Sequence, residues 1–114
     1  MSANYNVNAS GTNGVVTIKG RIISDDGMSI CFDEVAAASA KGTKHWVCDA
    51  SELEYCNSTG LNFFVRMLTR SRNNGGDCTL VGLQPAVAKL FQLSKLNEIF
   101  TSYATLEEAQ ANTK

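Results

Sequence analysis

The chain has 114 residues, 44% of them hydrophobic and 18% charged, with a formal net charge of −1. That is enough chain for one domain with a modest core and too apolar for a disordered segment. It is also too neutral to carry a global field toward nucleic acid, and no apolar run approaches the ~20 residues of a membrane span.

The elements follow in chain order. YNVNA forms a first strand, SGTNG (10–14) a turn, and VVTIKGRII (15–23) a β-branched, roughly alternating second strand, together an antiparallel hairpin. Over 25–41 the period changes: Met28, Cys31, Phe32, Val35 and Ala38 fall at helical spacing, with Gly42 as a stop. KHWVCDA (44–50) reads as a strand covered on both faces. From residue 57 the pattern is helical again, with Leu61, Phe64, Val65 and Leu68 on one face, until RNNGGD (72–77) breaks it. CTLVGL (78–83) makes another strand, and Pro85 opens a helix with Val87, Leu90 and Phe91 as its stripe. NEIFTSYA (97–104) provides a short edge strand. TLEEAQA (105–111) is a closing helix with Thr105 and Glu108 in capping-box positions. Strands alternating with helices argue for an α/β layer on a mostly parallel sheet, one domain over 1–114.

The opening MSANYNVNAS lacks the apolar stretch of a secretory signal, so the sequence reads as cytoplasmic, without direct membrane insertion. In that compartment Cys31, Cys48, Cys56 and Cys78 read as reduced thiols packed like small apolar residues. No CxxC pair occurs and His45 is the one histidine, so neither a metal nor another cofactor is expected. Cys56 stands beside a helix start, where a thiol pKa can be lowered; burial is the competing reading. No nucleophile–base–acid set and no phosphate-binding loop of the Walker type is spelled out, so no enzyme is expected.

The stretch that concentrates small polar groups is EYCNSTGLNFF (54–64). With Asn57 as N-cap, Ser58 and Thr59 open the helix and Gly60 keeps its first turn uncluttered. Unpaired N–H groups and the positive dipole end make this an anion site, so a phosphate on Ser58 is compatible with the helix. A plain cap is the simpler reading of the same residues. One turn on, Phe63 and Met67 lie beside Arg66 and Arg70, either as an apolar partner patch with a basic rim or as a wider core stripe.

The longer run VCDASELEYCNSTGL resembles the STAS family, the sulfate-transporter and anti-sigma-factor-antagonist domains, whose antagonists end a strand in Asp-Leu-Ser and open the next helix with Asp-Ser-Ser-Gly-Leu. VVTIKGRI is similar to that family's second strand, and NNGGDCTLVGLQPAVAKLFQLSKLNEIFTSYATLEEAQ to its C-terminal half, so the resemblance covers about 15–110. It implies a single layer of mostly parallel mixed sheet, with an N-terminal β-hairpin and about four helices packed against it. It also implies a bacterial anti-sigma factor antagonist, a monomer when free and with no nucleic-acid partner. Such a protein binds an anti-sigma factor that is often a serine-protein kinase, and a serine phosphatase restores it. Carried over by position, the phosphoacceptor is Ser58, with Thr59 second. The partner surface comprises Asn57, Ser58, Thr59, Gly60, Asn62, Phe63, Arg66 and Met67, with Ile23, Ser24 and Asp25 from the loop after the second strand. Asn57 stands where many antagonists have Asp, and Ile23 where the family often has Asp. Some stand-alone members are instead structural subunits of a lipid-transport ATPase or a signalling scaffold, which is the alternative function.

Overall fold

The computed structural model describes residues 3–24 and 27–112. In chain order the elements are β1 (Asn4–Ser10), β2 (Asn13–Ile22), α1 (Met28–Ala40), β3 (His45–Cys56), α2 (Ser58–Asn73), β4 (Asp77–Val81), α3 (Pro85–Leu93), β5 (Thr101–Tyr103) and α4 (Leu106–Asn112), with a 3-10 turn at Leu96–Glu98. The strands form one five-stranded sheet in the order β1-β2-β3-β4-β5. β1 runs antiparallel to β2 as a hairpin, and every later pairing is parallel, as helical crossovers between the strands require.

The alternation of side chains along each strand divides the core. Val16, Ile18, Trp46, Cys48 and Leu80 point to the face covered by α1, α2 and α3. Val47 and Val81 point the other way and pack with Ala109 and Leu106 of α4. A chain of rings crosses the larger core: Phe32 and Tyr5 each lie 5.2 Å from Phe63, followed by Phe64, Phe91 and Phe100 at spacings of 5.3–5.8 Å. Offset and edge-on pairs of this kind add to the apolar area they bury.

Three elements differ from the sequence reading, two of them around the start of α2. β3 continues past Ala50 to Cys56. Its residues His45–Asp49 lie between β2 and β4, whereas beyond Asp49 it pairs with β2 alone, so half of that stretch faces solvent. Leu53 and Cys56 still point inward, and Ser51, Glu52, Glu54 and Tyr55 are exposed, a mixed polarity that hides the strand. In α2 the buried face is Gly60, Phe63, Phe64, Met67, Leu68 and Ser71. Leu61 and Val65, expected at its centre, lie at the margin and are only partly buried.

At the C-terminal end the two helix starts are as expected, but the strand expected over 97–104 is shortened to Thr101–Tyr103, with Leu96–Glu98 turned into the 3-10 segment. Pro85 occupies the first turn of α3, and Thr105 Oγ1 accepts from Glu108 N at 3.2 Å, capping α4. All four cysteines are buried and free, and the Cys48 and Cys78 sulfurs lie 3.6 Å apart. Among the described residues no group of three or more His, Cys, Asp or Glu could hold a metal ion, and no helix is long and apolar enough to cross a membrane.

Candidate functional site

The site is the corner where β3 ends and α2 begins. Asn57 leaves the strand with extended backbone, and its N–H donates to the Ile22 carbonyl at 3.1 Å, tying the corner to the end of β2. Its own carbonyl accepts from Leu61 N at 3.1 Å, which is the first bond of the helical ladder. The side-chain Oδ1 accepts from Thr59 N at 3.0 Å, the N-cap bond expected of an Asn here. On its other side Nδ2 donates to the Ile23 carbonyl at 3.0 Å.

Ser58 is the first residue of α2 and is exposed, with Thr59 partly buried behind it and Gly60 fully buried. No hydrogen-bond partner is recorded among the described residues for the N–H groups of Ser58 and Gly60. A 16-residue helix aims its positive end at them, and its first turn holds no acidic side chain. An anion on the Ser58 oxygen would therefore meet N–H donors without a partner among the described residues, and no carboxylate in that turn.

The rest of the expected partner surface divides. Asn62 and Arg66 are exposed on α2, Ile23 is 49% exposed, and Ser24 is partly buried in the loop that follows β2. Asp25 lies outside the described residues. Phe63 and Met67 do not form a surface patch: both are 0% exposed, and Phe63 stacks against Tyr5, Phe32 and Phe64. The reason is that α2 is flanked on both sides, with Phe32 of α1 against Phe63 and Phe91 of α3 against Phe64, and so buries a broad face. The two arginines of the expected rim belong to this packing as well, since Arg66 and Arg70 lie over the Phe32 ring at 4.2 and 4.9 Å.

Cys56 does not behave as a thiol activated by a helix end. It is buried under Gly60, and burial pushes its pKa up to about 11. Burial first, and then the Glu34 carboxylate, raise Cys31 to about 12. These thiols are packing groups.

Asp49 and Ser51, which carry part of the motif, make a joint elsewhere. Ser51 donates to Asp49 Oδ1 from both Oγ (2.7 Å) and N (3.1 Å), and its carbonyl accepts from Gln84 Nε2 at 2.9 Å. That fixes β3 against the approach to α3, and no recorded hydrogen bond among the described residues links the pair to Asn57 or Ser58. The sequence reading also missed Arg21 and Tyr55. They pair in register on β2 and β3, and the guanidinium lies 5.2 Å from the ring centroid. Tyr55 is exposed two residues before Asn57, so with Ile23 it gives the corner its surface apolar area. Only the β2–β3 register brings Arg21 to it, and that register is interrupted twice, so sequence spacing gave no signal.

Comparison with known proteins places these features in a family. A model of the STAS domain matches residues 4–109. BtrV, a candidate anti-sigma factor antagonist of Bordetella bronchiseptica, is 32% identical over 81 residues, covering 71% of this chain and 70% of that protein. An anti-sigma factor antagonist from Mycobacterium paratuberculosis superposes with a TM-score of 0.80 at 23% identity, over 98% of this chain and 94% of the other. The Bacillus cell fate determinant SpoIIAA in its phosphorylated form gives 0.74 at 17% identity, over 95% and 97%. At these identities the structural likeness shows a shared fold.

Proposed function

The chain belongs to the STAS domain family, and from that premise we propose that it is an anti-sigma factor antagonist whose partner binding is switched by phosphate on Ser58. The partner is an anti-sigma factor that is itself a serine kinase, and a serine phosphatase reverses the modification. The observation that carries this reading is the placement of Ser58: exposed, first in α2, beside two N–H groups that have no partner among the described residues, and a neutral cap. The relatives named as anti-sigma factor antagonists support the class of function. That SpoIIAA is known in a phosphorylated form supports the type of control.

In the forward step the Ser58 oxygen forms a bond to the γ-phosphorus of ATP as the β–γ bridging bond breaks. ADP leaves, and the hydroxyl proton passes to a base of the kinase. In the reverse step water attacks the phosphorus, inorganic phosphate leaves and the hydroxyl is restored. This chain supplies the acceptor and the surface, and the partners supply the catalysis. The added charge of about −1.5 to −2 lies at the favourable end of α2, so the fold is retained while the face presented to the partner becomes negative. Binding is lost because a surface that docked as a neutral corner becomes a strongly hydrated anion.

The test is capture of the native partner on immobilised wild-type, Ser58→Ala and Ser58→Glu protein, with the captured proteins identified by mass spectrometry. Wild type and Ser58→Ala retain a kinase-like anti-sigma factor, and Ser58→Glu loses it. Retention of a lipid-transport ATPase by all three alike would overturn the switch and favour a structural-subunit role.

A further inference from the structure

Asn57 does two things at once, and only one of them is capping. Oδ1 accepts from Thr59 N at 3.0 Å while Nδ2 donates to the Ile23 carbonyl at 3.0 Å. The two bonds assign the amide orientation unambiguously, since the flipped amide would set oxygen against the Ile23 oxygen and NH2 against the Thr59 N–H. Asn57 N also donates to the Ile22 carbonyl. Two successive carbonyls at the end of β2 are therefore held by one residue, which is also the neighbour of Ser58.

We infer that Asn57 is a positioning residue: its side-chain amide holds the chain at Ile23 beside the start of α2, so that Ile23 and Ser58 form one surface. The inference rests on the reading of this corner as the partner surface, but its physical content does not. Ile23 is 49% exposed, so little apolar packing fixes it, and the Asn57 side chain bonds its carbonyl directly, one residue beyond the backbone bond at Ile22. Aspartate cannot replace it, because an ionised carboxylate caps as well as an amide but has no proton to donate. Its second oxygen would face the Ile23 carbonyl, and the two would repel. Asn57→Asp should therefore impair this corner.

The experiment compares wild type, Asn57→Asp and Asn57→Ser by backbone NMR relaxation, with thermal unfolding alongside. Both variants keep a cap and should unfold cooperatively near the wild-type midpoint. Neither can reach Ile23 with a donor in the same way: Asp has none, and the Ser hydroxyl is too short while it caps. At Ile23 the expected order parameter is about 0.85 in wild type and below roughly 0.6 in both variants. Ser58→Ala should match wild type. Order retained at Ile23 in either variant overturns the inference, because a residue that merely caps would give that result. The measurement needs neither partner nor phosphate. A Ser58 that takes no phosphate would defeat the proposed function and leave this result standing, and an Asn57 without a positioning role would do the reverse.

Discussion

Gly60 lies directly against the Cβ of Cys56, so that no side chain fits between the start of α2 and the end of β3. A Cβ at Gly60 would also fall 3.2 Å from Ile22 Cβ and 3.3 Å from the Cys56 sulfur. Ser58, the proposed phosphoacceptor, sits two residues away, so this contact sets where Ser58 stands relative to the sheet.

Gly60→Ala is therefore expected to destabilise the fold. Alanine gains up to about 1 kcal/mol in helix propensity over glycine. Overpacking against a rigid Cβ costs about 1–3 kcal/mol, and two neighbours must move rather than one. The net loss should lower the urea midpoint without changing the slope, and phosphate uptake at Ser58 should fall with it. An unchanged or raised midpoint would show that the helix start has room to shift.

Phe63→Ala should cost about 3–5 kcal/mol, the range for removing a buried aromatic ring. Phe63 is fully buried and stacks on three other rings, so the site cannot collapse cheaply. Arg66→Ala, which removes an exposed cation from over Phe32, should cost only about 0.5–1 kcal/mol. Denaturant melts of the two variants measure the contrast, and similar losses for both would contradict the assignment of Phe63 to the core.

The buried titratable groups predict a fall in stability at high pH. Burial raises Tyr5 to about 12 and Cys56 from 9.0 to about 11, and burial followed by Glu34 raises Cys31 from 9.0 to about 12. In the unfolded chain the thiols give up protons above 9.0, whereas in the folded chain they keep them until about 11 or 12. The folded state thus binds more protons across that window. The stability these groups contribute is fully present below the lower value and is lost as pH rises through the upper ones. Urea midpoints at about pH 8 and about pH 10.5 should show the decline, which a flat profile would contradict. Near neutral pH none of the four thiols should be alkylated by iodoacetamide until the protein unfolds.

Much of this architecture was legible because local signals agreed with the global arrangement. The hairpin, the Pro85 helix start and the Thr105–Glu108 cap each rest on interactions within a few residues, and each appears where the pattern put it. Where the outcome depended on neighbours distant in sequence, pattern was insufficient. In α2, residues 61, 63, 64, 65, 67 and 68 are all apolar, so more than one face could have been the buried one. The choice fell to Phe32 and Phe91, which arrive from α1 and α3. The far half of β3 was obscured because a strand paired on one side keeps solvent-facing residues. At the site the cap was legible in Asn57, but its second bond was not, since the Ile23 carbonyl comes from 34 residues earlier in the chain.

The central claim is that Ser58 is where the switch is thrown. It is tested most directly by incubating wild-type, Ser58→Ala and Thr59→Ala protein with the captured kinase and ATP, then mapping phosphate by mass spectrometry. The account predicts a single phosphate on Ser58 in wild type and Thr59→Ala, and none in Ser58→Ala. Equal phosphate uptake by Ser58→Ala would contradict it.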